Sequence, residues 1–177
     1  MKAEDLNWSW KSFAELSIYE LYELLSFRQS IFVVEQRSWY QDADGLDEVG
    51  EHLLVTDKDR LIGYLRLIPP GLKYETPSIG RIALLKEYRR NKIGSNIVQE
   101  GLRKSAEIYS SNSSTISAQE YLINFYEDHG FEVHGEAYDE DGIPHVKMTK
   151  NEQKQPKYIN LVYRSNHRSF DGWFFYY

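Results

Sequence analysis

The chain has 177 residues, the size of one ordinary domain, and its 41% hydrophobic content is enough for a single core of normal size. No run approaches the roughly 20 apolar residues that a membrane-spanning helix needs, and the acidic, amphipathic N-terminus lacks the features of a secretory signal. A soluble cytoplasmic protein with no membrane partner is expected. The net charge of −6 argues against a nucleic-acid partner, because phosphate neutralisation by Lys and Arg supplies most of that affinity. The absence of cysteine leaves any catalysis to carboxylates, His, Tyr, Ser or backbone groups.

Ser17 and Glu20 have capping-box spacing, with Leu16 and Leu21 at the staple positions, and predict a helix that begins at Ser17. Ile18, Leu21, Tyr22 and Leu25 repeat at helical spacing and predict its buried stripe. Ile31 to Val34 is apolar, and a polar, acidic loop follows from Gln36 to Gly50. His52 to Asp57 and Leu61 to Ile68 read as a hairpin joined by Lys58-Asp59-Arg60 and stopped at Pro69-Pro70-Gly71. Ile79 to Leu85 reads as a third strand. A long helix is predicted from about Lys92 to Tyr109, with Ile93, Ile97, Val98, Leu102, Ala106 and Tyr109 facing inward. Thr115 to Ala118 is a short strand, and Tyr121 to His129 a short helix closed by Gly130. Phe131 to Tyr138 and His145 to Thr149 form a last hairpin that turns through Asp141-Gly142. This order predicts one α/β (α+β) domain in which a mixed, mostly antiparallel sheet is flanked by helices.

Charge is sorted along the chain. Residues 1–148 hold 16 Lys and Arg against 25 Asp and Glu, whereas residues 149–177 hold five against two. Residues 35–51 carry six acids and residues 127–141 carry seven, and between them residues 81–104 carry seven bases and two acids. A basic island between acidic flanks suits an anionic cofactor beside a cationic co-substrate. The island begins where a strand runs into Arg89-Arg90-Asn91-Lys92-Ile93-Gly94-Ser95 and opens the long helix. Free amides at a helix start, together with the positive end of its dipole, make an anion site, and Gly94 lets a phosphate approach the backbone.

Here the sequence resembles the GNAT N-acetyltransferase superfamily, and within it the ElaA-like group. The superfamily's phosphate loop follows a Gln/Arg-x-x-Gly-x-Gly/Ala pattern; Arg89 fills its first position and Gly94 its last, with Lys92 where the first Gly is expected. A second element is Asn124-Phe125-Tyr126 followed by Gly130-Phe131. The ElaA-like features are Arg28, Phe32-Val33-Val34-Glu35-Gln36, Tyr40-Gln41-Asp42 with Asp44 and Asp47, and Asp141-Gly142-Ile143-Pro144-His145.

The resemblance implies a GNAT acyl-CoA N-acyltransferase fold over residues 1–150, acetyl-CoA as co-substrate and an amine acceptor. It implies that the pyrophosphate lies on the amides from Arg89 through Arg90, Asn91, Lys92, Ile93 and Gly94 to Ser95. The pantetheine arm would run along the backbone of Ile82, Ala83 and Leu84, and Asn124 would hydrogen-bond the coenzyme. Tyr126 is the expected acid for the departing thiolate, and Glu35 and His52 are the expected bases, acting directly or through a water. No metal is expected, since no helical His pair with an acid partner occurs. The acidic blocks point to a small cationic amine or an exposed lysine as acceptor. Two other readings stand beside this one: an acyltransferase related to acyl-homoserine-lactone synthases, and a non-catalytic acyl-CoA sensor or interaction module. Residues 151–177 form an aromatic-rich extension, six of whose aromatics fall from Phe170 to Tyr177. Its role is open: association with another chain is favoured, a homodimer being one form, and the alternatives are an edge strand from Tyr158 to Tyr163, packing on the domain through Trp173 and a disordered tail.

Overall fold

The computed structural model describes residues 3–151, so the expectations placed on the aromatic extension lie outside the described residues. An edge strand, Asn7–Ser12 (β1), stands where the sequence reading names no element. Its signal is the two-residue spacing of Trp8 and Trp10, both packed on the core; the Trp10 indole also donates to Glu100 at 2.9 Å.

Helix α1 (Ile18–Gln29) begins at the predicted capping box. The Glu20 amide donates to the Ser17 hydroxyl at 3.2 Å, and the Ser17 amide donates to the Glu20 carboxylate at 2.9 Å. Its buried face is not the one predicted. Ile18 and Tyr22 are each 77% exposed, and Leu24, Phe27 and Arg28 turn inward instead. That inner stripe continues to Ile31 through a π-helical turn, Ser30–Glu35, and packs on Leu54, Tyr64 and Ala83. An arginine at its centre hides the stripe from a reading of apolar spacing.

Strands Glu51–Asp57 (β2) and Arg60–Ile68 (β3) form the expected hairpin, and Ser78–Leu84 (β4) completes an antiparallel sheet in the order β1-β2-β3-β4. Helix α2 (Ile93–Tyr109) crosses this sheet with Ile93, Ile97, Val98, Gly101 and Ser105 buried. A Cβ on Gly101 would stand 2.6 Å from Leu65 Cδ1, so glycine sets how closely α2 approaches β3. Strand Ser114–Gln119 (β5), helix Ile123–Glu127 (α3) and strands Glu132–Glu140 (β6) and Ile143–Lys150 (β7) follow. Gly130, at φ +83°, closes α3 as predicted.

The single sheet expected from the sequence is in fact two, since β5, β7 and β6 form an antiparallel sheet of their own. The sheets join at one end, where the Thr115 amide donates to the Pro77 carbonyl at 3.0 Å and the Thr76 hydroxyl donates to that of Thr115 at 2.7 Å. Past that junction β4 and β5 do not pair. A bulge in β4 lies just beyond it: Tyr64 faces Ala83 and Arg66 faces Gly80, so Leu65 stands opposite both Arg81 and Ile82. Arg81 sits there at φ +50°, an unusual conformation for a non-glycine residue. The core nevertheless runs beneath both sheets, from Leu53, Val55 and Leu65 to Ile116, Phe131 and Met148. Among the described residues, no helix is long and apolar enough to cross a membrane.

Candidate active site

The gap between β4 and β5 is a cavity of about 1250 Å³, larger than an ordinary small-molecule pocket. One wall is β4 and the start of α2; the other is β5, α3 and the turn between β6 and β7. The loop 36–50 crosses over it, where the Gln36 and Gln119 side-chain amides donate to each other at 3.4 and 3.1 Å and the Ser38 hydroxyl donates to the Asp141 carbonyl at 2.7 Å.

Ile82, Ala83 and Leu84 all line this cavity. The Leu85 amide donates across to Ile62 of β3, and antiparallel alternation therefore turns Ala83 toward β3 and leaves the backbone groups of Ile82 and Leu84 facing the cleft. The Leu84 carbonyl is held by Arg89 Nε at 2.9 Å.

The start of α2 has the form of an anion site. Lys92 occupies the N-cap position without any side-chain cap, and the first intrahelical bond is Asn96 to the Lys92 carbonyl, so the earlier amides are left over. Arg90 and Lys92 stand at φ +65° and +61°, which explains why the family pattern prefers glycine where Lys92 is found. A Cβ on Gly94 would meet nothing within 4 Å, so the bare backbone there serves the open cavity and not the packing. Arg89, Arg90, Lys92, Gly94 and Ser95 line the cavity; Asn91 is exposed outside it, and Ile93 is buried in the core, where only its backbone remains relevant.

Tyr126 lies on the opposite wall, 8% exposed, with Phe125 and Phe131 packed edge-on against its ring. Burial pushes its phenol well above the ordinary tyrosine range, so it stays protonated, and no side chain among the described residues holds the hydroxyl. Asn124 is on the exposed face of α3, away from the cavity.

The two expected bases fare differently. Glu35 reaches the cavity from the π-helical turn, but Arg89 grips it with two bonds of 2.6 and 3.0 Å and holds its carboxyl below the usual range. His52 is a correction: it is fully buried and does not line the cavity. Its Nε2 lies 2.9 Å from the Asp47 carbonyl, which can only accept, so Nε2 carries the hydrogen. Nδ1 then accepts from the Tyr64 hydroxyl at 2.6 Å, and burial keeps the ring neutral. With both nitrogens engaged inside the core, His52 has no lone pair to offer a substrate.

The acids of the loop are also spoken for. Arg28, wholly buried, binds Asp42 at 2.7 Å and Asp47 at 2.6 Å; Arg66 binds Asp44 at 2.6 Å and Asp47 at 2.7 Å; Arg81 binds Asp42 at 2.7 Å and Asp44 at 3.2 Å. Three arginines thus face three aspartates. Burial alone would raise Asp44 and Asp47, but their arginine partners carry Asp44 well below the usual carboxylate range and Asp47 below its ordinary value. With Glu35 paired as well, four of the six acids in residues 35–51 are neutralised, and this block cannot serve as the cationic attractant inferred from its sequence. Arg66 escaped the sequence reading, although a charge inside the apolar run Leu61 to Ile68 signals a buried pair. Lys73, Gln119, Glu140 and His145 also line the cavity, and no local motif marks Lys73, Gln119 or Glu140.

A split pair of sheets, a bulged β4 and an uncapped helix start facing a cleft define an acyl-coenzyme A N-acyltransferase fold, and the comparisons agree. The acetyltransferase (GNAT) domain model matches residues 24–152, and the chain belongs to that family. A UPF0039 protein of Synechocystis is 41% identical over 81% of this chain and 94% of its own length. ElaA of Escherichia coli is 35% identical over 82% of this chain and 96% of its own. The ElaA crystal structure superposes with a TM-score of 0.77, covering 82% of this chain and 99% of that one. An acyl-CoA N-acyltransferase structure from Pseudomonas aeruginosa, 35% identical, gives 0.78 with the same coverage. Both the superfamily and the ElaA-like group expected from the sequence are borne out.

Proposed function

We propose that this protein transfers the acetyl group of acetyl-CoA to a primary amine by direct attack in a ternary complex. The observation that carries the reading is the pairing, across one cavity, of the open Gly94 backbone at the uncapped α2 with the protonated, unheld hydroxyl of Tyr126. The amides of Ile93, Gly94 and Ser95 would hold the pyrophosphate, assisted by Arg90 and Lys92 and the helix dipole. Ile82 and the Leu84 amide offer strand-like hydrogen bonds to the pantetheine arm. Bound acetyl-CoA supplies an activated thioester. Tyr126 gives its proton to the departing thiolate sulphur, and the walls of the cavity align the amine with the carbonyl carbon. Glu35 serves as the anchor of Arg89, which fixes the end of β4 through the Leu84 carbonyl.

A panel of polyamines, amino acids and basic peptides, with thiol release as the readout, tests the reading. Wild-type protein is expected to turn over at least one amine. Tyr126→Phe should lose about 10²-fold or more in kcat while its coenzyme A affinity, measured by calorimetry, stays the same. An unchanged kcat removes Tyr126 from the mechanism, and no binding of coenzyme A at micromolar concentration removes the reading.

A further inference from the structure

The cavity extends past Tyr126 onto the polar face of the second sheet. His145 of β7 stands opposite Gln119 of β5 and opposite Tyr138 of β6, and strand alternation puts all three on one face while Val146 and Met148 fill the core on the other. Nδ1 of His145 lies 2.8 Å from the Ile143 carbonyl. A carbonyl oxygen only accepts, so Nδ1 carries the hydrogen and the neutral ring keeps its lone pair on Nε2. Nε2 has no hydrogen-bond partner among the described residues. This is the opposite tautomer to His52, with the opposite consequence: the free lone pair belongs to a residue of the cavity wall.

The ring is braced as well as exposed to the cavity. It stacks on Tyr138 at 6.4 Å and 28°, and Tyr138 donates at 2.6 Å to Ser117, whose own hydrogen goes to Glu140. The charged groups around it come from several elements. Glu140 and Asp141 line the cavity from β6 and its turn, and Lys73 lines it from the segment before β4. Lys147, two residues along β7, is held over the Tyr74 ring at 5.6 Å.

We infer that His145 is the general base that takes a proton from the acceptor's ammonium group, a role that rests on the amine-acylation reading above. The ammonium gives one proton to Nε2, and the freed nitrogen pair forms the C–N bond as the C–S bond breaks. The sulphur takes the phenolic proton of Tyr126, the second proton on the new amide nitrogen returns to the Tyr126 oxygen, and the imidazolium releases its proton to water.

The experiment compares wild type, His145→Gln and His145→Ala as purified full chains with acetyl-CoA, using spermidine, lysine and a lysine-containing peptide as ammonium acceptors and hydroxylamine as an acceptor already free of its proton. Both variants should lose about 10²-fold or more in kcat on whichever ammonium acceptor wild type prefers, and much less on hydroxylamine. Coenzyme A affinity should be unchanged, the acid limb of the pH–rate profile should follow the amine alone, and added imidazole should restore His145→Ala. Equal losses on both kinds of acceptor, or a His145→Gln kcat within about threefold of wild type, overturn the assignment and leave the acylation reading standing. Wild-type protein that binds coenzyme A yet acylates none of these amines overturns that reading and the base with it.

Discussion

Arg28 shows how one residue can carry a fold and a site together. It is wholly buried under α1, with Asp42 and Asp47 at 2.7 and 2.6 Å and the Tyr64 ring 5.7 Å from its guanidinium carbon. Removing one partner of such a lattice leaves uncompensated charge in the core. Arg28→Ala is therefore expected to lose about 3–5 kcal/mol of stability by urea denaturation at neutral pH. The acid dependence has a definite sign. Asp44 and Asp47 have folded pKa values depressed below their unfolded values, so their contribution is complete above about pH 4 and is lost as pH falls through the folded values. Wild-type stability should drop below about pH 4, and Arg28→Ala, whose Asp47 has lost its first partner, should drop less steeply. A small loss at neutral pH, or parallel acid limbs, would show that the lattice does not hold the loop.

At the scale of the element, the start of α2 separates binding from folding. Among the described residues most glycines answer to a positive φ or to a neighbour's atoms, whereas Gly94, like Gly80 in β4, answers to neither. Gly94→Val is thus expected to change the melting temperature little but to weaken coenzyme A binding by at least tenfold in calorimetry, because branched methyl groups would occupy the space over the amides. A variant that binds as wild type does would place the pyrophosphate elsewhere. The same element shows what spacing can reveal: its apolar period and the basic loop before it located the helix and its start, since each depends only on neighbouring residues. α1 marks the limit. Its cap was legible because Ser17 and Glu20 are three residues apart, but its buried face was not, because the partners that let Arg28 sit inward lie 14 and 19 residues away in the chain.

On the scale of the whole molecule, two sheets share one core but part at the β4 bulge, so the cavity lies between halves tied mainly at Pro77 and Thr115. A ligand that touches both walls binds only the folded arrangement and must stabilise it. Coenzyme A at a hundredfold excess over its Kd should add about 2.7 kcal/mol, which for a chain of this size is roughly 5–10 °C in melting temperature. Hydrogen exchange should slow at Ile82 and Leu84, the β4 residues whose backbone faces the gap. A shift without protection at β4 would mean that the ligand does not lie along that edge.

By itself the sequence determined the order of helices and strands after residue 16, the basic start of α2 and the family, because each is written in short-range spacing or in contiguous motifs. Only the tertiary structure decided which acids are free, which histidine is shut in the core and which lines the cavity, and where one sheet becomes two. Those properties depend on partners brought together from distant parts of the chain: Arg89 with Glu35, the three arginines with the three aspartates, and the two carbonyls, of Asp47 and of Ile143, that give His52 and His145 opposite tautomers.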